Sequence, residues 1–369
     1  MEGLVEMFWQ GRRVFITGHT GFKGSWLSLW LNLLGAKIAG YSLAPPTTPN
    51  LFLIAGVDQL TATTIADICD LDSLTAALRR HRPEILFHLA AQSLVRASYF
   101  NPLETYRSNV LGTCTLLEAA RACDSVRAIV VITTDKCYEN REWVWAYREN
   151  DALGGYDPYS NSKACTEFAV SAWRQSFFSP AEYSKHGVAL ASARAGNVIG
   201  GGDWSLDRLV PDVVRSFLAD EPVDIRNPKA TRPWQHVLEP LRGYLALAKH
   251  LVEDGVAFAD AWNFGPSYED ARPVEWIVDQ LAAQWGSGAK WKIDRSEQPH
   301  EAQTLRLDWS KAKHALGWSP MMSLEEGLRF TVNWYQAWHQ GDDMKKYTEK
   351  QIQQYMQLSE NRIDCAGLR

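Results

Sequence analysis

The chain is 369 residues long, 46% apolar and 22% charged, the composition of a folded protein with a full core and enough length for two domains. A formal net charge of −5 gives no general basic field, which excludes nucleic acid as a natural partner and leaves anionic ligands in need of a local basic pocket. The longest apolar segment, Trp26 to Leu34, is interrupted by Ser28 and Asn32 and falls far short of the roughly 20 residues that span a membrane, so no membrane partner is expected.

Six cysteines (Cys69, Cys114, Cys123, Cys137, Cys165, Cys365) lack paired metal-ligand spacing, and the nine histidines lack it too, so no metal is expected. With no signal peptide ahead of them, these cysteines read as reduced thiols in a cytoplasmic protein.

Residues 1–11 read as a lead-in. Arg13–Thr17 then predicts a strand, followed by Gly18-His19-Thr20-Gly21-Phe22-Lys23-Gly24 and a helix from Ser25 to Leu34. In this GxxGxxG loop Gly18 permits the tight turn, Gly21 lets backbone N–H groups approach a pyrophosphate, and Gly24 allows close helix–strand packing. Between a strand and an apolar helix, that spacing points to a dinucleotide. The second strand, Lys37–Leu43, ends in Ala44-Pro45-Pro46 without the acid that usually holds an adenosine ribose; Ser42 can make a weaker contact. No Lys or Arg occurs from Ile38 to Leu78, so NAD is favoured over NADP, with Lys23 and Arg12 the cations that bear on the choice.

A third strand, Thr64–Ile68, carries Asp67, which either accepts from an adenine amino group or serves as a turn residue. A helix over Leu71–His81 leads to a fourth strand, Pro83–Gln92, whose Ala90 and Ala91 let a flat cofactor lie close. A helix from Tyr106 to Ala122, containing Asn109, feeds the apolar strand Ala128–Ile132. Ligands bind outside the carboxyl ends of parallel strands, which here means Thr133-Thr134-Asp135-Lys136. Tyr159 and Lys163 share one face of the next helix, and a cation below a phenol favours the ionised form that takes a hydroxyl proton.

Gly187–Arg194 predicts a sixth strand with a glycine-dense exit loop, Ala195–Trp204, and Trp262–Gly265 a last strand of the main sheet. Arg232–Val237 leads into a helix over Leu238–Leu251, and two or three amphipathic helices follow around Lys290–Ile293. From Asp342 the chain reads as a polar helix and tail. The alternation of strand and helix predicts an α/β fold: a doubly wound parallel Rossmann sheet with a smaller interleaved substrate-binding lobe. Its divisions are 1–198 with 233–265 returning to it, 199–232 with 266–340 as the lobe, and 341–369 as the tail.

Thr17-Gly18-x-x-Gly21-x-x-Gly24, Asp67, Ala90-Ala91, Tyr159-x-x-x-Lys163 and Arg194-x-x-Asn197-Val198 together resemble the extended short-chain dehydrogenase/reductase superfamily over nearly the whole chain. More narrowly, Gly18–Trp26, Thr134–Tyr138, Asn140–Trp143, Gly154–Ser160 and Arg232–Val237 resemble the CDP-glucose 4,6-dehydratase family; Ala44 departs from it where Asp is expected. The resemblance implies a hydro-lyase that uses NAD catalytically on CDP-glucose, giving CDP-4-keto-6-deoxy-D-glucose for bacterial O-antigen (lipopolysaccharide) dideoxyhexoses, and a homodimer or dimer of dimers. A 4-epimerase, or a dehydratase for another nucleotide sugar, is the alternative.

By position, the resemblance makes Tyr159 the base for the 4-hydroxyl, Lys163 its partner at the nicotinamide ribose, and Thr134 the holder of the 4-oxygen. Asp135 and Lys136 are the acid and base of elimination, with Glu139 a rival base. Cofactor contacts fall on Gly18, His19, Thr20, Gly21, Phe22, Lys23, Gly24, Ser42, Asp67, Ile68, Leu89, Ala90, Ala91, Gln92, Asn109, Thr133 and Arg194. Asn197, Arg208, Arg232, His300 and Glu301 are the substrate contacts. Trp143, Trp145 and Trp204 either stack on the nucleotide or pack.

Overall fold

The computed structural model describes residues 7–286, 290–294 and 304–366, with side chains of the last helix described to 358. In chain order the strands are β1 (Arg13–Thr17), β2 (Lys37–Ser42), β3 (Ala62–Ile65), β4 (Ile85–His88), β5 (Ala128–Ile132) and β6 (Ala189–Ala195). There follow β7 (Asn197–Ile199), β8 (Val223–Ile225), β9 (Thr231–His236), β10 (Ala261–Phe264), β11 (Ala271–Pro273) and β12 (Trp291–Ile293). Seven of them form one parallel sheet in the order β10-β6-β5-β4-β1-β2-β3. The chain starts in the middle, winds to one edge, and returns to wind to the other, which creates a crevice at the carboxyl ends of β1 and β4. The predicted Rossmann sheet is the observed one, including the late strand near Trp262.

β5 is buried along its whole length, which its uninterrupted Ala-Ile-Val-Val-Ile predicts for a strand covered on both faces. The principal helices are α1 (Phe22–Leu33), α2 (Leu71–His81), α3 (Gly112–Arg121), α4 (Pro158–Ser176), α5 (Leu209–Leu218), α6 (Leu238–Glu253), α7 (Val274–Trp285), α8 (Ser310–Leu316), α9 (Leu324–Gln340) and α10 (Met344–Ala366). α2 matches its predicted span because Asp70 caps it, accepting from Ser73 N at 3.0 Å. The helix predicted from Tyr106 to Ala122 is instead broken by a π-helical turn at Arg107–Leu111, ahead of α3. The wider turn carries Asn109 inward.

β7, β9 and β11 form a second, three-stranded sheet, and β8 pairs with β12. β7 follows β6 after a single residue, so this smaller sheet grows directly from the exit of the main one. It faces the crevice. Within residues 7–11, read as a lead-in, Phe8 and Trp9 join the core: Trp9 is fully buried, with its ring 6.3 Å from that of Phe87.

The expected polar tail is likewise structural. α1 is apolar on all sides, so the sheet can cover only one of its faces and a second layer must cover the other. α10 packs against α1 and α9, with Ile352 and Tyr355 fully buried and the Tyr355 ring edge-on to Trp30 at 5.7 Å. Replacing Tyr355 with Ala is expected to lower the free energy of unfolding by about 3 kcal/mol in urea denaturation; a loss below about 1 kcal/mol would mean that the helix does not carry this load.

Candidate active site

A cavity of about 720 Å³ opens at the carboxyl ends of the central strands, between the glycine loop on one side and β7, β9 and the start of α5 on the other. Its first wall is backbone. At Gly18, with φ of +75°, a Cβ would stand 2.6 Å from Ala90 N, and at Gly24 it would stand 2.2 Å from Gly18 O. The loop therefore lies directly against the exit of β4, and α1 begins without a side-chain cap or an acid in its first turn. Its free N–H groups face the cavity, an arrangement suited to a pyrophosphate. Thr20, Phe22, Lys23, Ser42, Asp67, Ile68, Leu89, Ala90, Ala91 and Gln92 continue this wall. Burial, with Arg208 and Lys163 adding to it and Asp135 opposing, pushes Lys23 down to about 7.

Asp67 faces the cavity but is engaged: Oδ2 accepts from Arg107 Nη2 at 2.8 Å and Oδ1 from Cys69 N at 2.9 Å. At the exit of β2, Leu43, Ala44 and Pro46 line the wall and no cation joins them. Arg12 is held away from the site by Glu84 at 2.7 Å.

The far end of the cavity holds the chemistry. Asp157 caps α4, its carboxylate accepting from Ser160 N at 2.9 Å and Ser160 Oγ at 2.6 Å, while Ser98 Oγ accepts from Tyr159 N at 3.1 Å. These bonds fix where Tyr159 and Lys163 emerge, beside Thr133, Thr134 and Lys136. Burial pushes the Tyr159 phenol up to about 12, with the Thr134 contact and Arg208 opposing it, and pulls Lys163 down to about 8. Lys136 lines the cavity and makes no ion pair among the described residues. Glu139, the rival base, does not line the cavity; its side chain is exposed and bound to Arg141 at 3.0 Å.

Asp135 is expected at the open strand end but stands one hydrogen bond behind the wall. It is 1% exposed, and its Oδ1 lies 2.9 Å from Thr134 Oγ1 while Oδ2 is buried without a partner. A carboxylate cannot leave an oxygen so unsatisfied at low cost, so the group is driven toward its neutral acid. Burial raises its pKa against Lys136, Thr134 and Arg232.

Asn197, Arg208 and Arg232 line the opposite side. Arg208 is oriented by Asp203 at 2.9 Å and Ser93 at 2.8 Å. Sequence reasoning missed Trp234, Ile225, Arg226 and Asp212, which extend this side. Trp234 pairs with Asn197 across β7 and β9, and the period-2 alternation of Arg232, Trp234 and His236 is the signal that would have placed it.

Three expected cofactor contacts stand outside the cavity lining. His19 is fully buried, edge-on to Phe52 at 5.3 Å and hydrogen-bonded with Thr63 at 3.1 Å; burial pulls it down to about 4. Asn109 braces the exit of β4, bonding Gln92 N at 2.8 Å, Gln92 O at 3.0 Å and Ser162 Oγ at 2.8 Å. Arg194 lies beneath the site in an ion pair with Glu167 at 2.8 Å. Trp143 and Trp204 pack on neighbouring rings (Trp143 on Tyr147, Trp204 on Tyr335 and Trp338), and Trp145 is exposed outside the cavity. His300 and Glu301 lie outside the described residues.

Comparison with known proteins places this architecture. The family model of GDP-mannose 4,6-dehydratase matches residues 15–331. CDP-glucose 4,6-dehydratase of Salmonella typhimurium is 55% identical over 349 residues, 95% of this chain and 97% of that protein. The dTDP-glucose 4,6-dehydratase of the same organism is 26% identical over 74% of this chain and 78% of its own. Two solved structures share the fold: UDP-glucose 4-epimerase of Thermotoga maritima (TM-score 0.74, 23% identity, 88% of this chain and 99% of that one) and dTDP-glucose 4,6-dehydratase of Bacillus anthracis (TM-score 0.73, 20% identity, 90% and 99%). This chain belongs to the GDP-mannose 4,6-dehydratase family of extended short-chain dehydrogenases/reductases, in the company of the CDP-glucose 4,6-dehydratase that it matches end to end.

Proposed function

We propose that this protein is an NAD-dependent CDP-D-glucose 4,6-dehydratase forming CDP-4-keto-6-deoxy-D-glucose. The observation that carries the reading is the convergence of a carboxyl group driven neutral by burial, an unpaired lysine and a Tyr/Lys pair at one end of one cavity. The near full-length identity with a CDP-glucose enzyme supports the choice of sugar nucleotide.

The residues fit NAD: a backbone cradle that side chains would fill, an uncapped helix N-terminus without an acid, and a ribose end without a cation to favour a 2′-phosphate. When bound, the nicotinamide supplies the hydride acceptor for C4 and the donor for C6. Tyr159 takes the 4-hydroxyl proton, and Lys163 beneath it favours the phenolate. Thr134 hydrogen-bonds the 4-oxygen. Oxidation at C4 makes the C5 proton acidic; Lys136 removes it and returns a proton to C5 once C6 has been reduced. Asp135 supplies the proton for the departing 6-hydroxyl through the Thr134 hydroxyl that separates it from the cavity. Arg232, Arg208 and Asn197 hold the diphosphate.

Five described cysteines are free thiols, which supports a cytoplasmic setting, and no described helix is long and apolar enough to cross a membrane. Phe100, Leu103, Leu111 and Phe168, on the segment before α3 and on α4, are 57% to 85% exposed; we assign this patch to a homodimer. Leu103→Glu combined with Phe168→Glu is expected to leave a monomer in sedimentation velocity, and a persisting dimer would move the interface elsewhere.

Asp135→Asn keeps the shape but cannot donate the proton. It is expected to lower dehydration of CDP-glucose by about 100-fold or more while C4 oxidation, read as bound NADH, persists. Unchanged dehydration would remove Asp135 from the acid's role, and formation of the C4 epimer in place of the 4-keto-6-deoxy sugar would favour a 4-epimerase, which needs no acid for water loss. Because the acid form of Asp135 is the active one and its pKa is raised, turnover falls as pH rises through that value rather than as it drops. Thr134→Ser retains the hydroxyl and should stay within about tenfold of the parent, whereas Thr134→Val, which loses both the relay and the 4-oxygen contact, should lose dehydration at least as far as Asp135→Asn and lower C4 oxidation as well.

A further inference from the structure

Tyr159, Lys163 and Glu167 recur at every fourth position of α4 and stack along one face. The first two open on the cavity, but Glu167 does not; it is 4% exposed. Thr133 Oγ1 donates to its Oε1, and Ser192 Oγ at 2.7 Å and Arg194 Nη2 at 2.8 Å donate to its Oε2. Arg194 is tied in turn to Tyr138 Oη at 2.8 Å and Glu149 O at 3.0 Å. The carboxylate is thus locked between the ends of β5 and β6. Burial works against its charge, yet Arg194 and the two hydroxyls hold its pKa below the ordinary value.

Lys163 has the opposite need. Its Nζ donates to Ile132 O at 3.3 Å, and burial favours loss of its proton. From other elements it faces Lys23 on α1, His88 at the end of β4 and Cys137 after β5. Lys23 repels it; His88, pulled down to about 3 by burial, is neutral, and Cys137, whose thiol burial pushes up, is neutral too. Glu167 is the charge among these that favours the ammonium form.

We propose that Glu167 is a positioning residue that holds the proton on Lys163 and, through Thr133, fixes the strand end that carries Thr134. This rests on the reading of Tyr159 and Lys163 as the base pair of the reaction. Arg194 does not belong to the cofactor; its task is to keep Glu167 ionised where it is buried. A pair placed only for stability would alter unfolding and scale turnover equally at all pH values.

The titration of Lys163 is measured in cofactor-free protein by trace acetic anhydride labelling between about pH 6 and 10, with the Lys163 peptide quantified by mass spectrometry and exposed Lys185 as the internal reference. Glu167→Gln is expected to move the onset of Lys163 labelling about one pH unit lower, leaving Lys185 unchanged. In an Asp135→Asn background, where the acid of elimination is absent, the alkaline limb of C4 oxidation, followed as bound NADH, should move down with it. That shift should vanish in a Lys163→Arg background, where the guanidinium keeps its charge. If Glu167→Gln does not fold, Glu167→Gln with Arg194→Gln removes both charges, and the same direction is expected because Glu167, not Arg194, is the charge acting on Lys163. An unchanged Lys163 titration in either folded variant overturns the proposal. Absence of CDP-glucose turnover in the parent protein would overturn the functional reading instead, and the labelling comparison would still decide the role of Glu167.

Discussion

The site depends on the removal of water from one small volume at the exit of β5. Burial favours the neutral form of four groups there: it raises Asp135 and Tyr159 and lowers Lys163 and Lys23. A site that needs an acid, a base and a cation within a few residues of one another gains from this, because desolvation separates their tasks without a metal ion. The same desolvation threatens the lysine, which must stay charged to act on the phenol. The Glu167–Arg194 pair beneath the site answers that threat, its own burial being compensated by hydrogen bonds from Thr133 and Ser192.

Much of the main sheet is legible in the sequence because its central strands are buried on both faces and helices such as α2 and α4 carry side-chain caps. β5 and α2 coincide with their predicted spans, and the Thr-Gly-x-x-Gly-x-x-Gly loop sits where strand and helix patterns require it. What is not legible depends on partners distant in sequence. β7, β8, β11 and β12 are three residues each, too short to show a period, and exist through pairing with segments up to 68 positions away, as Trp291 with Val223 does. The π turn around Asn109 inserts one residue that no periodicity announces.

Side-chain direction is the other blind spot. His19 and Arg194 both belong to motif segments that line the cavity, yet each turns into the protein and serves the scaffold. Glu167 had the signal, since it continues the four-residue repeat of Tyr159 and Lys163, but a buried carboxylate cannot be recognised from spacing alone when its cation, Arg194, lies on another strand. The polar composition of α10 hides its function in a similar way. Among its described side chains Met344, Thr348, Gln351, Ile352 and Tyr355 are buried, and α10 packs on the outer face of α1 and on α9 rather than forming a core of its own.

That cover bears on the chemistry. The cofactor's phosphates are expected at the N-terminus of α1, so any rocking of this helix on the sheet would shift the nicotinamide relative to Tyr159. α1 is clamped from both sides, by the sheet and by α10, and Trp26 Nε1 donates to Gly201 O at 3.0 Å, tying the helix to the loop that follows β7. β7 in turn pairs with β9, which carries Arg232 and Trp234 into the opposite wall. The distance between the two walls is therefore set by hydrogen bonds and packing that run through the glycine helix itself.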